Sequence, residues 1–211
     1  MAPSLAELVT PPSTAVVTME VQRGVVGDEA VFPALVDQVR ECRLIERVAS
    51  LCDGARAAGV RVVHATMVAR ADGAGQTANC KVFALERRLR AERGASPTQE
   101  GTLGAEVMPE LVGDDDIEVA RIHGMTPFTS TSLDQVLRNL GVTTIVAAGV
   151  SVNLGVMGLA LSAVDLGYQV VLPRDAVTGV PVEYADSVID NSLSLLATVT
   201  TVDDVLAAWP T

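Results

Sequence analysis

An α/β domain built on a mostly parallel, six-stranded sheet with helices on both sides is the architecture expected of this chain, for three reasons. Apolar runs of five to seven residues alternate with longer stretches of helical period, the pattern of repeated strand-helix units. Hydrophobic residues make up 49% of the sequence but aromatic ones only 3%, so the core rests on Val, Ala and Leu, as in a sheet covered on both faces. Finally, Thr144-Thr-Ile-Val-Ala-Ala148 runs directly into Gly149-Val-Ser-Val-Asn-Leu-Gly-Val-Met-Gly158 and then an apolar helical stretch: a strand, a glycine-led turn and a helix start. A turn of that kind puts side chains and backbone N–H groups at the mouth of a parallel sheet, where such folds bind ligands.

The elements follow in order. Thr14–Met19 is an apolar, β-branched run and predicts the first strand, and a helical period over 35–58 predicts the first long helix. Val60-Arg-Val-Val-His-Ala-Thr66 gives the second strand, and 80–92 a helix rich in Glu and Arg. Strands are expected at 117–121, 143–149, 168–173 and 197–200, with helices at 131–140, 153–166, 182–195 and 202–208. Pro181 suits the first turn of the helix at 182–195, and Glu183 complements its positive end. The segment from Met67 to Ile117 is long for one crossover and reads as an excursion over the ligand face. At 211 residues one domain is expected, at 14–211, with residues 1–13 as an N-terminal arm that either crosses to a neighbouring subunit or frays.

Composition narrows the function. A net charge of −11 opposes binding to phosphate backbones, so no nucleic-acid partner is expected. Without a basic, then apolar, leader in residues 1–13 or any stretch near 18 apolar residues, neither membrane insertion nor export is expected, and the protein is placed in the cytoplasm. Cys42, Cys52 and Cys80 lack metal-ligand spacing, and Cys42 and Cys52 fall on one expected helix, too far apart to bridge. No metal and no cofactor is expected.

Five blocks occur in the order seen in the isochorismatase-like hydrolases, and the chain resembles that superfamily from about Thr14 to Trp209. Ala15-Val-Val-Thr-Met-Glu-Val-Gln22 is similar to an opening strand that ends in Asp-Met-Gln, which puts Glu20 at the catalytic aspartate's position and matches Gln22. Gly101-Thr-Leu-Gly-Ala-Glu-Val-Met-Pro-Glu-Leu111 follows the family's block closely. Phe128-Thr-Ser-Thr-Ser-Leu133 resembles Phe-x-x-Thr-x-Leu, with the catalytic lysine expected six residues before the phenylalanine, at Ile122. The turn at Gly149 resembles the nucleophile turn, with Gly155 in the cysteine's place, and Asp165–Val171 with Asp175–Gly179 resembles the following helix end, strand and loop. The resemblance implies the fold above, a homo-oligomer with its pocket near a subunit boundary, and a non-proline cis peptide between Val150 and Ser151. It also implies that amide or nitrile cleavage by a thiolate is lost with the cysteine, whereas the isochorismatases proper, which also carry glycine there, cleave an enol ether by acid catalysis.

The candidate residues each carry two readings. Glu20, at a strand's carboxyl end, is either a pocket general acid or a surface glutamate. Arg121 and His123 flank Ile122: Arg121 is a fork for a substrate carboxylate or an exposed ion pair, and His123 a pocket donor or a solvated loop residue. Val150, Ser151, Asn153 and the N–H groups near Leu154 and Gly155 form either a helix cap or an anion site. His64 reads as structural, and Arg87, Arg88, Arg90 and Arg93 as a solvated helix face or an attracting rim. Catalysis therefore falls to Glu20, with Gln22, Arg121, Ile122, His123, Val150, Ser151 and Gly155 around the substrate. The expected function is a small-molecule hydrolase that uses Glu20 as proton donor on an anionic, enol-ether-like substrate. Its rival is a non-catalytic binding protein or auxiliary subunit, because an apolar residue at position 122 removes the cation.

Overall fold

The computed structural model describes residues 3–209. Its six strands, β1 (Thr14–Met19), β2 (Arg61–Met67), β3 (Ile117–Arg121), β4 (Thr144–Gly149), β5 (Gln169–Pro173) and β6 (Thr198–Thr200), lie in the order β3-β2-β1-β4-β5-β6. Every pairing is parallel. The chain builds outward from β1 to β3, then returns to the other side of β1 for β4. That reversal opens a crevice at the carboxyl ends of β1 and β4, the place where doubly wound sheets bind ligands.

Nine α-helices surround the sheet among the described residues: α1 (Leu5–Leu8), α2 (Arg23–Val26), α3 (Pro33–Glu41), α4 (Leu44–Ala57), α5 (Lys81–Arg93), α6 (Leu133–Asn139), α7 (Met157–Asp165), α8 (Val182–Asn191) and α9 (Val202–Ala208). Alternation along β1 divides the core. Ala15, Val17 and Met19 pack with the α6, α7 and α8 side, whereas Val16 packs with α3, α4 and α9. On α4, Val48, Leu51, Cys52 and Ala55 recur at helical spacing and are all buried. No helix of the described residues is long and apolar enough to cross a membrane.

Three local expectations are corrected. The helix expected over 35–58 is two helices, because Arg43 adopts a left-handed conformation (φ 55°) that redirects the chain; Cys42 caps α3 and Cys52 lies within α4. The helix expected from 153 begins at Met157, after a wide π-type turn at Val152–Val156. The segment read as an arm is tied to this chain's own body: Ser4 caps α1 in a capping box, Val9 is fully buried, and Trp209 Nε1 donates to Val9 O at 2.8 Å.

One buried polar chain links the sheet to α4. Thr18 Oγ1 and His64 Nδ1 are 2.7 Å apart, His64 Nε2 lies 3.0 Å from Asp116 Oδ2, and the same oxygen accepts from Arg56 Nη2 at 2.6 Å and Gly113 N–H at 2.8 Å. Burial pushes His64 below its ordinary 6.5, against the pull of Asp116. Burial resists ionisation of Asp116, but its bonds from Arg56, His64 and Gly113 outweigh it and hold the carboxyl below the usual value. Below pH 6.5 the unfolded chain therefore binds a proton at position 64 that the folded chain refuses, and stability falls as pH drops; protonating Asp116 extends the loss at lower pH. We expect the urea midpoint to decline below about pH 6.5, less steeply in His64→Gln, and Asp116→Ala to cost about 3 kcal/mol at neutral pH by leaving Arg56 without its buried partner. A flat midpoint between pH 7 and pH 5 would contradict this account.

Candidate functional site

Glu20 follows the last residue of β1 and adopts a left-handed conformation (φ 53°) that is uncommon for a side chain of its size. Its N–H donates to Ala65 O at 2.9 Å, which fixes the turn against β2 and aims the carboxylate over the sheet edge. Arg121 ends β3 and is 4% exposed. Its guanidinium is held on three sides: Nη2 pairs with Glu20 Oε1, Nε donates to Gly124 O at 2.9 Å, and Nη1 to Thr66 O at 3.3 Å. A guanidinium so fixed is a positioned charge rather than a mobile one.

The Glu20–Arg121 pair lies in a cavity of about 260 Å³. The β4 turn supplies another wall with Val150, Ser151, Asn153 and Gly155, while Phe32, Leu35, Val82 and Leu89 make the remainder largely apolar. The Val150–Ser151 peptide is cis. Ser151 does not cap α7; its Oγ donates to Asn153 Oδ1 at 2.7 Å, and Leu154 and Val156 N–H groups both turn back to Ser151 O. Those N–H groups are spent inside the turn, so the anion site expected of them is not formed by Leu154.

Gly155 has a packing reason as well as a chemical one. A Cβ there would sit 2.9 Å from Met19 Cε, the tip of a flexible side chain, and 2.9 Å from the backbone oxygen of Val150, so a side chain at this position requires the turn to shift.

Other expected residues land differently. Gln22 is fully buried and serves the scaffold: its Oε1 accepts from Met67 N–H at 2.8 Å, and its Nε2 donates to Met67 O at 3.0 Å and Ala105 O at 2.7 Å. It does not line the cavity, which corrects its assignment to the substrate. Ile122 is 45% exposed and also outside that cavity's lining, in the bend that follows the last residue of β3. Of the two readings of Arg121, the exposed ion pair does not hold: the residue is buried and its guanidinium pairs with Glu20. His123 packs against Phe83, with ring centroids 4.3 Å apart and the ring planes tilted by 41°, and lines an adjoining cavity of about 510 Å³ with Arg87 and Arg90.

The structure also brings in a residue that the sequence reading passed over. Glu86, on α5, lines both cavities. Burial pushes its carboxyl up to about 7, with Glu20's negative charge adding to the rise and Arg121 opposing it. Its run of Glu and Arg suggested a solvated face. The usable signal was spacing, since Val82, Phe83, Glu86 and Leu89 share one side of the helix.

A parallel α/β sheet with a carboxylate and a guanidinium paired at its carboxyl edge defines a small-molecule pocket protein of the doubly wound class. The Isochorismatase domain profile matches residues 14–204, and the chain belongs to the isochorismatase family. It is 34% identical over 95 residues to the uncharacterized isochorismatase family protein YecD of Escherichia coli O157:H7, a match covering 45% of this chain and 50% of that protein, so it spans about half the relative's length. Among solved structures it is similar to a cysteine hydrolase from Pseudomonas syringae pv. phaseolicola 1448A, with a TM-score of 0.79 at 23% identity over 99% of this chain and 98% of the other, a likeness of fold. An isochorismatase family protein from Desulfovibrio vulgaris subsp. vulgaris str. Hildenborough gives 0.77 at 27% identity, covering 92% of this chain and 98% of that one.

Because a Cβ at position 155 would press on Val150 O and the tip of Met19, Gly155→Cys should destabilise the fold by about 1–3 kcal/mol through overpacking. Urea unfolding of the variant checks this; an unchanged midpoint would disprove the packing argument.

Proposed function

We propose that this protein is a hydrolase of the isochorismatase type that acts on a small anionic, enol-ether-like substrate by an acid mechanism without a cysteine. The observation that carries this reading is the Glu20–Arg121 pair on the cavity floor, with Arg121 immobilised by Gly124 and Thr66. A fixed charge pair in a largely apolar cavity is a preorganised electrostatic environment, worth more there than in water. Position 155 is a glycine and offers no nucleophile. Arg121 supplies a cation beside Glu20 although counting from Phe128 points to Ile122, which favours the hydrolase over a non-catalytic binding protein.

The same reading makes the protein a homo-oligomer. Leu154, Leu161, Val164 and Leu166 are exposed along and beside α7, an aliphatic surface of the kind that a self-association would cover. Light scattering at micromolar concentration should give a mass above that of the monomer; a strictly monomeric mass would count against it.

The catalytic reading is tested at Glu20. With isochorismate as substrate, Glu20→Gln should lower kcat roughly 10²–10⁴-fold while substrate binding changes little, because the variant keeps the shape but loses the charge. Arg121→Ala should cause a comparable loss, and Arg121→Lys a smaller one. Undiminished turnover in Glu20→Gln would remove Glu20 from the mechanism, and a wild-type protein inert towards isochorismate, amides and nicotinamide would make this a binding protein.

A further inference from the structure

We infer that Glu86 of α5 is the proton carrier of this cavity, while Glu20, held by Arg121, faces the positive charge that protonation creates. This assignment rests on the hydrolase reading above. It starts from the different surroundings of the two carboxyl groups. Glu20 accepts a hydrogen bond from the buried guanidinium of Arg121. Glu86 is half-buried on the helix above, on the side that carries Val82, Phe83 and Leu89, and among the described residues its carboxyl receives no hydrogen bond. The groups facing it are Glu20 beyond β1 and Arg121 at the end of β3 on the cavity side. On the side of the adjoining cavity they are Asp72, Arg87, Arg90 and His123. Its carboxyl is pushed up to about 7, by burial first and by Glu20 second. Two carboxyl groups in one pocket, one bound by a guanidinium and the other set against the apolar side of α5, divide naturally into a charge stabiliser and an acid.

The seam position adds a second argument. Glu86 borders both the 260 Å³ cavity of Glu20 and the 510 Å³ cavity beside it. It can therefore give up a proton into the first and exchange one with solvent through the second.

On an enol ether the steps balance as follows. The Glu86 O–H bond breaks, its electron pair stays on the carboxylate, and the substrate's π pair takes the proton at the terminal vinyl carbon. The adjacent carbon becomes an oxocarbenium centre, opposite the Glu20 carboxylate. Water adds its lone pair to that carbon and yields a proton to Glu86, which restores the acid. The hemiketal hydroxyl then gives its proton to the ether oxygen as that C–O bond breaks, leaving a ketone and an alcohol. The net reaction consumes one water and no other reagent.

The experiment joins a titration to a rate. With glutamate ¹³C-labelled at the side-chain carboxyl, one NMR resonance of the wild-type protein should titrate near neutrality and vanish in Glu86→Gln. With isochorismate as substrate, wild-type kcat should fall as pH rises through about 7, since the acid must be protonated to act. Glu86→Gln should lose roughly 10²–10⁴-fold in kcat together with that decline, and added formate should restore part of the rate to Glu86→Ala. Urea midpoints show whether each variant folds; Glu86→Asp, with partial activity and a shifted profile, serves if the others do not. A Glu86 carboxyl that titrates in the ordinary glutamate range, or a Glu86→Gln enzyme with wild-type kcat and pH profile, overturns the assignment and leaves the hydrolase reading standing. A wild-type protein with no turnover overturns both.

Discussion

The close approach of β4 to β1 at their carboxyl ends is the constraint on which the site depends. Gly149 has φ 108°, and a Cβ there would lie 2.8 Å from Met19 N, so only glycine lets the two strands end side by side. With that side chain absent, Val150 N–H reaches Met19 O at 2.9 Å and the β4 turn folds across the end of β1. Two consequences follow from one contact. Met19 fills the space above Gly155, and the next residue, Glu20, must turn sharply and reaches its left-handed conformation with its N–H on Ala65 O.

Charge then differentiates what backbone geometry has gathered. The chain carries a net charge of −11, yet the cavity floor holds a buried arginine, and buried charge persists only where it is paired and hydrogen-bonded. Arg121 satisfies that condition with Glu20, Gly124 O and Thr66 O. Glu86 has the apolar side of α5 around it instead, and burial raises its carboxyl to about 7. The arginines of α5 give an otherwise acidic molecule a local positive rim beside the cavity: Arg87 and Arg90 line the adjoining compartment, while Arg88 is bound to Glu92 at 2.7 Å along the helix surface. A local field of that sign favours the arrival of an anion.

Elsewhere, residues in the family-like blocks prove to be structural. Asp175 accepts from Arg47 at 2.5 and 2.8 Å and from Val202 N–H at 2.9 Å, so the loop after β5 ties α4 to the start of α9. Gln22 clamps β2 to the excursion by holding both backbone groups of Met67 and the carbonyl of Ala105. These bonds keep the cavity walls in register with the strand ends.

Much of this was legible from the order of residues alone. The parallel sheet and the strand positions follow from apolar runs and composition, because burying a strand on both faces leaves a local mark on the residues of that strand. The turn after β4 and the position of Glu20 at a strand's end were readable on the same local grounds. Three decisions lay beyond that reach. Arg121 and not Ile122 faces the cavity, since counting back from Phe128 crosses a loop whose length can change without altering which face a strand residue occupies. Met19 packs against Gly155, and Glu86 lines the same cavity as Glu20 although the two are 66 positions apart in sequence. Periodicity records which face of an element is buried, but not what is buried against it; the docking of α5 over the sheet edge and of β4 against β1 is a property of the packed molecule, settled by steric fit and the pairing of buried charge.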